Sequence, residues 1–233
     1  MQWLTKLVEQ KGAGLITGTI TGDLFNQETS LRAKYNVDVI FNAAGLAEAE
    51  LAGDTACCPI RGSLPGVIND GSDFPKLNHA LTIGANAVHD SNEILFVVPR
   101  NDKILLIDGI TEPNKHELSL TVDSPIIKRM RARYEAFLPG LKNARLDHDY
   151  PLAQGLRPFR QLNVLVEREL MIRKPSTAGT VAAAPSCIVH FYGPRQIRMT
   201  LSFGCAGDVA ALVAEMPRLV SYKSSSTFYQ DEQ

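Results

Sequence analysis

The sequence has no apolar run approaching the ~18 residues that a membrane-spanning helix requires. Its opening, MQWLTKLVEQKG, has no apolar stretch behind a basic start, so no leader peptide is expected. Cysteine is scarce. Cys57, Cys58, Cys187 and Cys205 form neither a CxxC pair nor a Cys/His spacing suited to a metal. That argues against a zinc site and a disulfide framework, and points to small buried thiols in a reducing compartment. Excess charge is also missing. With 24 basic and 25 acidic residues the net charge is −1, too little to draw nucleic acid or an anionic membrane by its field. There is no internal repeat, and no Gly-x-Ser-x-Gly context around Ser63 or Ser202. What remains is an ordinary globular composition over 233 residues, enough for one large domain or two interleaved small ones.

Along the chain, residues 2–11 read as a short amphipathic helix with Trp3, Leu4, Leu7 and Val8 on one face, stopped at Gly12. Residues 14–21 (GLITGTIT) predict a strand. Residues 37–41 (VDVIF) predict a strand covered on both faces. It runs into the small residues Asn42-Ala43-Ala44-Gly45, which permit close approach of backbone or ligand, and a helix is expected from about Leu46.

From Pro59 the texture becomes β-like. The runs 60–68, 79–84, 93–99 and 104–110 predict an antiparallel sheet, with a hairpin turn at Arg100-Asn101-Asp102-Lys103. Residues 124–138 predict the clearest helix, capped by Ser124 and started by Pro125. Its buried stripe would be Ile126, Ile127, Met130, Tyr134, Phe137 and Leu138, with Lys128, Arg129, Arg131 and Arg133 solvated. Residues 163–170 alternate as a half-buried strand, 171–186 read as a surface loop, and 187–193 as a buried strand. A last helix is expected from about Gly204 to Val213, followed by a polar, disordered tail over 221–233.

This order predicts α/β plus antiparallel β architecture. Residues 1–58 and 171–220 would form an incomplete, Rossmann-like nucleotide-binding domain, and 59–170 an inserted antiparallel-sheet domain.

Several local constellations are weak. Asp147-His148-Asp149 places carboxylates around an imidazole, but successive residues of an extended chain point to alternate faces. His190 lies inside a buried strand and reads as a satisfied core histidine. Asp108, beside Gly109, reads as a strand-end turn residue.

Three segments together resemble one family. They are Val37-Asp38-Val39-Ile40-Phe41-Asn42-Ala43-Ala44-Gly45 followed by Arg61-Gly62; Gly155-Leu156-Arg157-Pro158-Phe159-Arg160 leading to Val166-Glu167-Arg168-Glu169; and Ile188-Val189-His190-Phe191-Tyr192-Gly193 followed by Leu201-Ser202-Phe203-Gly204-Cys205-Ala206. Their order and spacing resemble the D-amino-acid oxidase family of FAD-dependent amine oxidoreductases, from Trp3 to about Val213.

The resemblance implies FAD as cofactor and an amino acid, the D-enantiomer above all, as substrate. A hydride would pass from Cα to the flavin, and electrons onward to oxygen. It places Arg157 where the family binds the substrate carboxylate, which the guanidinium fork suits; a surface arginine in a basic loop is the plain alternative. Phe96 and Asn92 stand near positions where the family has tyrosines, and Thr111 on a neighbouring strand likewise lacks a phenol. Ile20, Ala44 and Thr200 match positions near the flavin, although Ile20 and Ala44 serve equally as core residues and Thr200 as a helix-start residue. Arg195 and Gln196 fall in a run that is glycine-rich in the family, where backbone N–H groups approach the flavin.

The family's Gly-x-Gly-x-x-Gly turn, which holds the FAD pyrophosphate, does not occur in this sequence. The expectation is a C-terminal portion of the fold that retains FAD poorly and self-associates, as a homodimer or by aggregation, through exposed sheet edges. A degenerate, non-catalytic relative is the rival reading. The C-terminal Gln230-Asp231-Glu232-Gln233 lacks a Ser-Lys-Leu peroxisomal address, so cytoplasm is expected.

Overall fold

The computed structural model describes residues 2–83, 95–170, 185–193 and 198–216. Helix α1 (Gln2–Gln10) forms as expected, but its apolar face is uncovered, with no residue buried and Trp3 exposed. The strand expected over 14–21 does not form. That segment runs without secondary structure, and Leu15, Ile16 and Ile20 face solvent. β-branched residues favour a pleated surface, but a strand exists only where its N–H and C=O groups find a ladder, and none reaches them among the described residues.

Helix α2 (Leu24–Tyr35) went unforeseen. Asp23 caps it, its Oδ1 accepting from Asn26 N at 2.8 Å, and Asn36 closes it in the left-handed region at φ 50. Its inward stripe runs Leu24, Glu28, Leu31. A buried carboxylate at the central position hides the apolar period that would have marked the helix.

A three-stranded sheet carries the order β1 (Ile40–Asn42), β9 (Ile188–Tyr192), β8 (Leu165–Arg168). The first pair is parallel and the second antiparallel. Strand β1 is shorter than expected and leaves Phe41 exposed, so it is not covered on both faces. After it, helical structure begins where expected, as a 3-10 turn (Gly45–Ala47) running into the short helix α3 (Glu48–Leu51). Helix α5 (Arg198–Ala214) packs Val209, Leu212 and Val213 against Val189, Val166 and Phe191. It begins at Arg198 rather than near Gly204; Gly204 and Gly207 lie within the helix, with open space beside them.

The second sheet is antiparallel throughout. Its spine is β2 (Cys57–Ile68), flanked by β5 (Ile104–Asp108), β6 (Glu112–Pro113) and β7 (Leu152–Arg160). Strands β4 (Leu95–Pro99) and β3 (Leu81–Ile83) extend it beyond β5. The 100–103 turn is real: Asn101 Oδ1 accepts from Lys103 N and Ile104 N.

One face of this sheet packs under helix α4 (Pro125–Phe137). Val67, Leu95, Val97, Leu105 and Ile107 meet Tyr134, Leu141 and Phe74 there. Within α4, Ile127, Met130 and Tyr134 are buried, but Phe137 is exposed. Ser124 makes no side-chain cap; its Oγ accepts instead from Thr121 N, in the turn before the helix. Because strand residues alternate faces, filling one face from Val97 and Ile107 sends Phe96 and Asp108 to the other.

The loop expected over 171–186 lies largely outside the described residues. Its end does not behave as surface: Ser186 is fully buried. The expected tail over 221–233 also lies outside them.

Candidate functional site

Two cavities lie on either side of strand β7. The smaller, about 170 Å³, is walled by Gly62, Leu64, Ala153, Gln154, Gly155, Leu156 and Arg157. The larger, about 500 Å³, falls within the usual range for ligand sites. It is walled by the Ala43–Leu46 turn, by Leu156 and Pro158, and by Phe191, Tyr192, Gly193 and Ser202. Alternation parts Arg157 from Pro158, but the consecutive residues 153–157 all line the smaller cavity, so it accounts for only part of the division. Gly155 and Arg157 belong to the smaller cavity and Pro158 to the larger, with Leu156 in the wall between.

Register assembles the smaller site. Ile60 pairs with Arg157 and Gly62 with Gly155, and Phe96 pairs with Asp108 on the neighbouring strands. Arg157 therefore shares a sheet face with Gly62, Phe96 and Asp108. Gly62 has a specific use here: a Cβ on it would lie 2.6 Å from the Arg157 Cζ, so the guanidinium rests where only glycine leaves room. On the opposite face, Arg61 is buried against Glu112, with Nη2 at 2.7 Å, and donates through Nη1 to Glu117 O at 2.8 Å. That anchor holds β2 in register below the site.

Arg157 is not idle. Its Nη2 donates to Asp108 Oδ2 at 2.9 Å, while Asp108 Oδ1 accepts from Gly109 N at 2.7 Å. Asp108 does end its strand, as expected, but its carboxylate reaches into the site. Only register could have revealed this, because residues 108 and 157 come together through two intervening strand pairings.

The larger cavity is shaped by a buried polar chain. Asn42 Nδ2 donates to Glu48 Oε2 at 2.7 Å and lies 3.2 Å from His190 Nδ1; His190 Nε2 lies 3.1 Å from Glu169 Oε2. Ala44 N donates to Asn42 Oδ1 and Gly45 N to Glu48 Oε1, which stiffens the turn. With Asn42 donating to Nδ1, His190 carries its proton on Nε2, facing Glu169. His190 is thus a satisfied core histidine.

Burial pushes the Glu48 carboxyl up to about 7, against the opposing hydrogen bonds from Asn42 and the backbone of Gly45. Burial, with the Asp54 and Glu48 charges adding, also pushes the Cys57 thiol up to about 11, so it is not a thiolate nucleophile. Burial alone would raise the Asp54 carboxyl, but the Arg160 hydrogen bond and charge outweigh it and hold Asp54 below its ordinary value.

Of the other expected site residues, Ala44 lines the larger cavity. Ile20 lies on the unpaired 14–21 segment and is exposed, so it is not a core residue. Thr200 sits in the first turn of α5, and its side chain lies outside the described residues. Asn92, Arg195 and Gln196 also lie outside them. Asp147 accepts from Asp149 N in a local turn rather than joining His148 in a cluster. On α4, Lys128 pairs with Asp123 and Arg131 with Glu135.

The larger cavity fits the ring end of a flavin. Its walls are small or apolar, and the positive φ of Gly45 and Gly193 lets the backbone turn against Pro158 and Arg160. The Gly-x-Gly-x-x-Gly turn that elsewhere cradles a pyrophosphate does not occur in the sequence.

Comparison with known proteins agrees with this arrangement. Residues 1–212 match the DAO family model, described as FAD dependent oxidoreductase. The D-amino-acid oxidase of Rubrobacter xylanophilus is 31% identical over 203 residues, 87% of this chain and 52% of the relative. Human D-aspartate oxidase is 26% identical over 215 residues, 92% of this chain and 53% of the relative. The chain spans about half the length of these curated relatives. Among solved structures, glycine oxidase from Bacillus cereus superposes with a TM-score of 0.57 at 16% identity, over 76% of this chain and 43% of the other. The glycine oxidase of Geobacillus kaustophilus gives 0.54 at 18%, over 78% and 42%. A family model that covers residues 1–212, on a chain whose own sheets build the two cavities, establishes that this protein belongs to the DAO family of FAD-dependent oxidoreductases.

Proposed function

We infer that the chain supplies the substrate cavity and the flavin-ring cavity of an amino-acid oxidase acting on a D-amino acid or related amine, with oxygen as final acceptor. The carrying observation is Arg157, whose guanidinium opens onto the smaller cavity from the same sheet face as Phe96. In this reading Arg157 holds the substrate carboxylate and Phe96 gives an apolar wall. The Ala43–Leu46 turn and the Phe191–Gly193 segment hold the ring system across β7. Residues 1–58 and 171–220 then act as one discontinuous cofactor-binding unit around the inserted sheet.

A bound flavin would supply the two-electron acceptor for oxidation of the Cα–N bond to an imine. The protein's part is to orient Cα and exclude water. Among the described residues, Arg157 is the one charged side chain lining the smaller cavity, and Asp108 reaches it only by pairing with Arg157.

Incubation with excess FAD followed by desalting tests the cofactor half. Retained flavin absorbance is expected to be weak but real, and Arg157→Ala is expected to abolish turnover in a D-amino-acid screen while leaving that absorbance unchanged. Complete loss of flavin from the unmodified chain refutes the oxidase reading for this polypeptide. It favours the non-catalytic relative, for which the internal engagement of Arg157 by Asp108 is the structural argument.

Gly62→Ala is a finer probe. The new methyl meets only the flexible end of Arg157, so the fold should lose less than about 1 kcal/mol. The displaced guanidinium should weaken D-alanine binding roughly tenfold, because positioning errors near 1 Å are costly. A melting temperature near wild type with unchanged binding would show that Arg157 does not anchor the ligand.

A further inference from the structure

We propose that Asp108 is a specificity determinant, an internal carboxylate that turns the Arg157 socket against dicarboxylate ligands and toward those carrying a second cation. The inference rests on the reading of Arg157 as carboxylate anchor.

Asp108 is aimed by its surroundings: Gly109 N holds one oxygen at 2.7 Å while the other accepts from Arg157 Nη2 at 2.9 Å. Arg157 cannot retreat through the sheet, because its guanidinium already lies against Gly62. The two side chains remain 28% and 26% exposed, so the pair is open to a ligand rather than sealed. One N–H of the guanidinium fork is committed to Asp108, and an incoming carboxylate must use the others.

The local charge then decides selectivity. Arg157 and Asp108 sum to zero. A ligand with one carboxylate and an ammonium group gains attraction at both ends. A second ligand carboxylate would meet Asp108 as a like charge, which costs binding steeply in a partly dry site. The adjacent apolar wall, Phe96 across the ladder from Asp108, further favours an aliphatic stem reaching past it.

The test is calorimetric titration of the full chain with D-lysine, D-alanine and D-aspartate. The expected order of affinity is D-lysine, then D-alanine, then D-aspartate. Asp108→Asn should strengthen D-aspartate binding about tenfold and weaken D-lysine binding by a similar factor. Asp108→Gly serves as the second variant should the first lose the fold. Unchanged D-aspartate and D-lysine affinities in a folded Asp108 variant overturn the proposal and leave the anchor reading standing. Arg157→Gln distinguishes the other failure: if it binds D-alanine as well as wild type does, or if wild type binds none of the three, the anchor reading falls and the specificity role falls with it.

Discussion

Glu28→Ala should cost the fold about 4 kcal/mol, a large share of the ~5–15 kcal/mol that holds an ordinary domain together. Glu28 is fully buried on α2. Its Oε2 accepts from Ser186 Oγ at 2.8 Å, its Oε1 from Cys187 N at 3.0 Å, and Arg32 Nη1 lies 3.5 Å away. The truncated side chain would leave a buried backbone N–H and a hydroxyl without their acceptor, each worth about 1–3 kcal/mol, and a partly buried guanidinium without its partner. Those groups stand at the entry to β9, the centre of the three-stranded sheet. Urea unfolding should therefore show a much lower midpoint with little change in slope, and Glu28→Gln should recover part of the loss by keeping one acceptor. A midpoint loss equivalent to less than about 1 kcal/mol would mean that α2 is not tied to β9 through this carboxylate.

The second large effect is a stability that falls as the solution becomes less acidic. Glu48 is raised from 4.5 to about 7 by burial. Between those values the folded chain keeps a proton that the unfolded chain has released, so stability drops as pH rises through the window and levels off above 7. The shift corresponds to roughly 3 kcal/mol. Asp54 works the other way but elsewhere: its folded value lies below 3.8, so its contribution is complete above that pH and is lost only in stronger acid. A stability maximum near pH 4–5 follows. Melting temperatures at pH 5 and pH 8 should differ clearly in wild type and converge in Glu48→Gln; equal values in wild type would refute the assignment. The turn lining the larger cavity should share this dependence, because Gly45 N donates to Glu48.

Elements marked by strict alternation or by caps could be read from sequence. The hairpin at 100–103, helix α4 and the buried strand β9 stand where spacing put them. Elements whose marks are polar, or whose partners are distant, could not. Glu28 sits where an apolar residue would have announced α2, and the 14–21 segment has every local feature of a strand except a neighbour to pair with. Glycine misled at α5, where Gly204 and Gly207 lie in open space and cost only propensity. The site divides in the same way. Arg157 stood out in its motif, and register puts it on the same sheet face as Phe96. The Asp108 carboxylate was invisible as a partner, since nothing along the chain relates positions 49 residues apart until register does.

The alternation of β7 between two cavities has an evolutionary consequence. Residues that line only the smaller chamber, such as Leu64 and Ala153, can change one at a time without disturbing the walls of the larger one. A one-residue insertion ahead of Gly155 would have the opposite character: it would turn Arg157 inside out, exchange the occupants of both chambers at once, and so be purged rather than explored.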